Sequence, residues 1–372
     1  MTKNNTVIFF VNSLQSGGIE NYLLRFIEEF SHEFLRITVV CKSGFAGQLE
    51  NNYSQFPNVE IVKLRIGFFS LFDYIKVNNL FRGGHYSAVC DFTGNFSGII
   101  LLLAKLNSIN TRIAFYRNSE NRFKNSTFKN WFNNLMRNLT IKFSTRILTN
   151  SKAALKFYFN SIYENNKKFK VIYNGINSEK FLKEEHDLRK EFNLPDNAFV
   201  VGHVGRYNPA KNHETIIKVA EILIKKHPNI FFLLTGNGVE KNLKPKTDEL
   251  GLSKRIILSE NRNDIAKVLK TIDCFYFPSI TEGQPNALLE AMVSGVPIVA
   301  SNIEPIKECS PITFHDQLVP PTDFLVAVER IEEIYKGKFD FDLSVWVLNE
   351  FNHEKLFSQF YNELKNESFI CK

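Results

Sequence analysis

The chain has 372 residues, 44% hydrophobic and 23% charged. This exceeds one ordinary core, suits two domains and excludes a disordered chain. The net charge of +7 is unevenly shared: residues 1–190 hold 26 Lys+Arg against 14 Asp+Glu, and residues 191–372 hold 20 against 25, which predicts two lobes with different partners.

The chain begins with a predicted strand, 6–11. Asn12 and Ser13 follow at once, so this apolar run is not a signal peptide. A loop over 14–18 ends in Gly17-Gly18, where missing side chains let backbone N–H groups approach a phosphate or sugar. A helix over 19–30 follows, then strands at 37–41, 59–64, 88–91, 112–115, 146–149 and 170–172. Helical patterns between several of these give β/α alternation, the pattern of a parallel sheet. The apolar run 99–106 is broken by Lys105 and is too short to span a bilayer. Five scattered cysteines without a C-x-x-C pair argue for a reducing compartment and against disulfides or zinc.

Residues 121–163 carry eight Lys/Arg and no acid: Arg122, Lys124, Lys129, Arg137, Lys142, Arg146, Lys152 and Lys156. Interleaved aromatics such as Phe123, Phe128, Trp131 and Phe159 fit amphipathic helices facing a core. The charges fit docking on an anionic membrane surface, and single-stranded nucleic acid is the competing reading. A polar connector, 174–197, opens with Asn174-Gly175.

The second lobe reads as strand 199–204, the loop GRYNPAKNH, a helix over 214–225, and strands 230–235, 255–258, 274–277 and 298–301. A last helix covers 354–365. Arg206 and Lys211 lie on one post-strand loop, and two such cations can clamp a diphosphate. Asp264 suits a helix N-cap. Asp340 and Asp342 spell D-x-D in a linker-like stretch, where a turn or cap explains them without a metal.

Residues 274–301, CFYFPSITEGQPNALLEAMVSGVPIVAS, form the most informative segment. They read as strand, loop, helix, Gly stop and strand. Pro285 suits the first helical position, and Gly295 suits the stop. The helix start offers N–H groups to a phosphate. Glu282 precedes that start and Glu290 lies more than a turn inside, so the carboxylates can accept hydrogen bonds from two sets of hydroxyls. Spacing alone means little, since Glu20 and Glu28 share it.

The whole pattern, E-G-x-P-x-x-x-x-E between two strands, resembles the E-x7-E motif of family 4 glycosyltransferases, retaining enzymes with the GT-B fold. The resemblance covers nearly the whole chain and is strongest at 202–213 and 274–301. It implies two Rossmann-like doubly wound parallel-sheet α/β domains facing a cleft. These are an acceptor-binding domain at 1–185, a nucleotide-sugar-binding domain at 186–345, and a C-terminal helix, 346–372, crossing back to the first domain.

By this resemblance Arg206 and Lys211 hold the donor diphosphate, Glu282 the donor sugar hydroxyls and Glu290 the ribose. Gly283, Gln284, Pro285 and Asn286 complete the donor loop. The run Gly17-Gly18-Ile19-Glu20-Asn21 is similar to the family's N-terminal loop. Asn174-Gly175-Ile176 is similar to its N-G-I/V-D run, departing at Asn177. A further departure is Arg117, which stands where the family has a His. A guanidinium can bind a hydroxyl or an anion but cannot accept a proton.

The function implied is retaining transfer from a UDP- or GDP-sugar to a hydroxyl of a growing, lipid-linked surface glycan. No cofactor and no metal are expected. The partners expected are the donor, a glycan or lipid-linked acceptor and an anionic membrane surface, with no nucleic acid. The location expected is cytoplasmic, peripheral on the inner face of the plasma membrane. Two alternatives stand beside this: a sugar-nucleotide epimerase or hydrolase on the same fold, and a non-catalytic nucleotide- or nucleic-acid-binding protein.

Overall fold

The structure, a computed structural model, describes residues 5–67, 70–117, 127–164 and 166–365, without the side chains of 127–130 and 161. Arg122, Phe123 and Lys124 fall outside these residues, as do the side chains of Phe128 and Lys129. Two compact units emerge. The first is Met1–Tyr173 with Glu354–Lys372, and the second is Asn174–His353. Where a boundary near 185 was expected, the connector from Asn174 onward clusters with the second unit.

In the first unit the strands are β1 Thr6–Val11, β2 Arg36–Cys41, β3 Val59–Lys63, β4 Ala88–Asp91, β5 Thr111–Tyr116, β6 Arg146–Thr149 and β7 Phe169–Val171. They form one parallel sheet in the order β3-β2-β1-β4-β5-β6-β7. Every residue of β1 is buried, as a central strand covered on both faces requires. Its alternating side chains feed two cores: Val7, Phe9 and Val11 on one face, Ile8 and Phe10 on the other.

The first core holds part of the helix His353–Lys365. Phe357, Phe360, Tyr361 and Leu364 pack with Phe9, Tyr22 and Phe26, and the Phe26 and Phe360 rings lie 4.8 Å apart. An ion pair fixes the same helix: Glu363, only 5% exposed, accepts from Arg146 Nε at 2.9 Å and from Lys170. Arg146 is therefore consumed inside the unit rather than offered to a membrane.

The second unit contains β8 Phe199–Val204, β9 Ile230–Thr235, β10 Ile256–Ser259, β11 Cys274–Phe277 and β12 Ile298–Ala300, parallel in the order β10-β9-β8-β11-β12. Helices His213–Lys226 and Phe324–Tyr335 cover one face through Ile216, Ala220, Leu223, Ala327 and Ile331. Each sheet reverses its strand order once, at β1/β4 and at β8/β11. In open α/β sheets a ligand crevice opens beyond the carboxyl ends of the strands at such a reversal.

Among the described residues no helix is long and apolar enough to cross a membrane. Four cysteines, Cys41, Cys90, Cys274 and Cys309, are buried and free.

Candidate active site

The β8/β11 reversal is where the chemistry-bearing residues of the second unit gather. After β8 the chain passes Gly205 and Arg206 into a short 3-10 turn, Pro209–Lys211. Asn208 caps that turn by accepting from the Lys211 N–H at 3.0 Å. Asn212 then takes a left-handed conformation, φ 57°, which Asn tolerates better than most residues. The Asn212 side-chain amide donates to the carbonyls of Pro278 at 3.2 Å and Pro321 at 2.7 Å. The Ile280 N–H donates to Ala210 O at 2.8 Å. The loops after β8 and β11 are thus tied together by backbone and amide bonds.

The tie brings Lys211 onto Glu282, Nζ to Oε1 at 2.6 Å, with both side chains mostly buried. The Lys211 ammonium also sits 4.6 Å from the centre of the Phe277 ring. A half-buried pair at a crevice differs from a surface ion pair, because lower local dielectric strengthens its contacts with any ligand. Arg206, on the same loop, is exposed.

Two of the expected donor-loop residues, Gln284 and Asn286, turn toward Asn174. Gln284 and Asn174 pair reciprocally: the Asn174 N–H donates to Gln284 Oε1, and Gln284 Nε2 donates to Asn174 O at 2.9 Å. Asn174 Nδ2 donates to Asn286 Oδ1 at 3.0 Å. Gln284 is buried, so its amide fastens the donor loop to the Asn174-Gly175 run. At Gly175 an added Cβ would lie 2.2 Å from His353 Cα; the absent side chain permits that approach.

The helix begins one residue later than expected, at Asn286–Val293, with Pro285 at the N-cap. The Leu288 and Leu289 N–H groups bond Pro285 O, so proline supplies the first acceptor while losing no donor. Gly283 lies in the loop and Glu290 inside the helix, both half-buried. Gly295 closes the helix in the left-handed region, φ 74°.

Beneath Lys211 lie two histidines that the sequence reading passed over. His203, on β8, is fully buried with Nδ1 3.0 Å from Tyr276 O. His213 starts the next helix, and the two rings meet edge to face at 5.1 Å. Burial pushes both pKa values down, His213 to about 4 with the Lys211 charge as second cause. Both imidazoles are neutral near pH 7. His213 stands in plain sight in GRYNPAKNH; its proximity to Lys211 was the available signal.

The loop after β9 was also missed. An added Cβ on Gly236 would come within 2.2 Å of Gly205 O, and the Tyr207 N–H bonds Asn237 O at 2.9 Å. The Gly238 N–H donates to Glu260 at 2.8 Å.

Other expectations change. Asp264 occupies an N-cap position but makes no capping bond. Its two oxygens accept from Arg262 Nε and Nη2 at 2.7 Å each, and this guanidinium lowers its pKa. Asp342 accepts from the Ser344 N–H at 2.9 Å and hydroxyl at 2.6 Å, a local turn before the helix Ser344–Glu350. Among the described residues no three His, Cys, Asp or Glu are grouped as metal ligands would be.

In the first unit, Gly17 is the N-cap of the helix Gly18–Phe30 and Gly18 is its first residue. The backbone at Gly17 is extended, and a Cβ there would meet the Glu20 carboxylate at 2.6 Å, whereas one at Gly18 would meet nothing within 4 Å. Arg117 turns inward. Its guanidinium carbon lies 3.6 Å from the Tyr22 ring centre and 5.1 Å from that of Phe115. Burial lowers its pKa to about 10, which leaves it charged at neutral pH.

Two family models match in tandem, Glycosyltransferase Family 4 over residues 16–180 and Glycosyl transferases group 1 over 184–342. The chain belongs to the group 1 glycosyltransferases. A capsular polysaccharide biosynthesis glycosyltransferase of Staphylococcus aureus is 29% identical over 85% of this chain and 88% of its own length. An Escherichia coli UDP-Gal:α-D-GlcNAc-diphosphoundecaprenol α-1,3-galactosyltransferase is 35% identical over 44% of each chain. Among solved structures, Anabaena Alr3699/HepE in complex with UDP superposes with a TM-score of 0.78 at 20% identity, covering 96% of this chain and 99% of that one. The fold of this glycosyltransferase is GT-B, with its two parallel-sheet domains of seven and five strands.

Proposed function

We propose that this glycosyltransferase moves a sugar from a nucleoside-diphosphate donor, a UDP-sugar before a GDP-sugar, to a hydroxyl of a growing surface glycan, with retention and without a resident metal. The observation that carries the reading is the Lys211–Glu282 pair at the β8/β11 reversal. A diphosphate needs fixed cations, and a sugar ring needs carboxylates that accept from its hydroxyls. The Anabaena neighbour holds UDP, and the E. coli relative takes its galactose from UDP-Gal onto a diphosphoundecaprenol-linked sugar. These support the donor class and a lipid-linked acceptor.

In this reading Arg206 and Lys211 stabilise the charge that develops on the leaving diphosphate, the electrostatic term that usually dominates such transfers. Glu282 accepts from donor sugar hydroxyls and Glu290 from the ribose. The bond from C1 to the phosphate oxygen breaks as the bond from C1 to the acceptor oxygen forms on the same face. The acceptor proton passes to the departing phosphate; Arg117, a charged guanidinium stacked on Tyr22, cannot take it.

Titration calorimetry with UDP, GDP and UDP-sugars tests the donor, and an acceptor-free incubation tests the reaction class. The expected results are UDP binding that weakens strongly in Lys211→Ala, and no change to the UDP-sugar when acceptor is absent. Undiminished transfer by Glu282→Ala, or C2 epimerisation of the donor without acceptor, overturns the reading.

A further inference from the structure

Lys211 has to make two contacts at once. Its ammonium bonds Glu282 Oε1 at 2.6 Å, and the proposed reaction also needs it at the donor diphosphate. Three N–H donors allow both, provided the stem does not swing from one to the other. A lysine stem is flexible where nothing holds it. The surroundings of that stem therefore decide how well the charge is aimed, and a misplacement of about 1 Å is enough to slow a reaction about 100-fold.

Three rings and one glycine make those surroundings. The stem crosses Gly205, where an added Cβ would stand 3.2 Å from Lys211 Cδ, 3.3 Å from Lys211 Cε and 2.9 Å from His203 Nε2. The Phe277 ring centre lies 4.6 Å from the ammonium, and His203 stacks on Phe277 with ring centres 5.7 Å apart. The left-handed backbone at Asn212, φ 57°, returns residue 213 toward β8. There the His213 ring meets His203 at 5.1 Å and Tyr207 at 5.3 Å.

Burial alone does not call for histidine at these places. His203 is 0% and His213 2% exposed, and the next buried positions of the same helix include Ile216, Ile217 and Val219. Of the four ring nitrogens only His203 Nδ1 has a partner, Tyr276 O at 3.0 Å. His203 Nε2 and both nitrogens of His213 have none among the described residues. Unpaired buried polar atoms cost stability that an aliphatic side chain would not. Because a carbonyl can only accept, His203 carries its proton on Nδ1, and Nε2 presents a lone pair beside the Lys211 stem. Neutral imidazoles offer an ammonium lone pairs and an electron-rich face without cancelling its charge. The Lys211 charge in turn helps to keep both rings unprotonated, so they do not compete with it for an anion.

We infer that His213, steadied by His203, is a positioning residue for the transfer: it holds the Lys211 stem over Gly205 so that the ammonium meets the donor diphosphate without leaving Glu282. His213 acts through Lys211 and touches no reacting atom. The inference rests on the proposed function and adds to it the group that aims its cation.

The test is a double-mutant cycle on steady-state transfer, using a panel of radiolabelled UDP- and GDP-hexoses with a polyprenyl-diphosphate-linked N-acetylhexosamine as acceptor. UDP titration and urea unfolding accompany each variant. His213→Leu is expected to lower kcat by about 10- to 100-fold, while KM and the Kd for UDP change by less than about threefold. His213→Gln keeps a polar atom within reach of the stem and recovers most of that loss. In the Lys211→Ala background, His213→Leu changes the residual rate by less than about twofold, because its effect passes through Lys211. A histidine that only packs would lower the rate in both backgrounds and move the urea midpoint with it. Equal losses in the two backgrounds, a change confined to KM, or His213→Gln no better than His213→Leu overturns the positioning role. If His213→Leu does not fold, the cycle is run with His213→Asn, which lacks the ring and is expected to fall between the other two variants. A wild type that transfers from none of the donors removes the proposed function and the positioning role with it. Wild-type transfer with a failed cycle removes the positioning role alone.

Discussion

Both sheets reverse strand order once, at β1/β4 and at β8/β11, yet the chain finishes the two edges differently. Past β8 and β11 it places half-buried charges, Lys211 and Glu282, on loops sewn together through Asn212, Ala210 and Ile280. Beyond β1 and β4 the charges are pulled inward. Asp91, which ends β4, is fully buried, accepting from the Thr93 N–H at 2.7 Å and from Lys42 at 3.4 Å, and Arg117, after the neighbouring strand β5, lies on Tyr22. Rigid, partly solvated charge at one edge suits a small polyanionic donor. Satisfied charge at the other suits recognition of a larger partner.

The largest effects expected from mutation are at the second edge. Lys211→Ala or Glu282→Ala should lower kcat/KM by about 100- to 1,000-fold, measured by transfer from a radiolabelled donor, with urea unfolding of the first unit unchanged. If the loss is below about tenfold, the two edges do not differ in catalytic weight. Gln284→Ala removes both bonds of the Asn174 clamp and leaves buried backbone groups unpaired. It should destabilise the second unit by about 1–3 kcal/mol, seen as a lower urea midpoint, with a smaller change in UDP affinity.

Arg117→Leu sharpens the comparison. Loss of the stacked guanidinium should reduce stability by roughly 1–2 kcal/mol, read by thermal unfolding. Transfer abolished at unchanged stability would instead make Arg117 a ligand-facing group. The smallest effect concerns pH. His203 and His213 have folded pKa values below that of an unfolded histidine, so below about 6.5 the unfolded chain binds more protons than the folded one. Stability contributed by the neutral rings is fully present above pH 6.5 and is lost as pH falls from there through about 4. His213→Asn should flatten that slope, measured by urea titration at a series of pH values.

The strands were legible because buried parallel strands are short apolar runs ended by turn residues. β1, β4, β6, β8, β9 and β11 fall at the expected residues, and the others shift by a residue or so at their ends. Lys211 and Glu282 were legible as residues of two post-strand loops, and the fold pairs them at 2.6 Å. The site was not legible where a contact spans distant sequence. Gln284 could equally have faced a ligand, and only the fold brings Asn174, 110 residues away, to it. Side-chain direction was hidden for the same reason. Asp264 had the right place for a cap, but Arg262 offered its carboxylate two charge-assisted bonds, which outweigh one bond to a neutral N–H.

The return of Phe357, Phe360 and Tyr361 to the core around Phe9 and Phe26 has a consequence for biosynthesis. Domains of a nascent chain usually mature in the order in which they leave the ribosome. Here the earlier-made unit waits for residues some 350 positions downstream of its first strand, whereas every residue of the second unit has already been synthesised. The later-made unit can therefore close first, and the aromatic face around Phe9 stays open to chaperones until translation has passed residue 364.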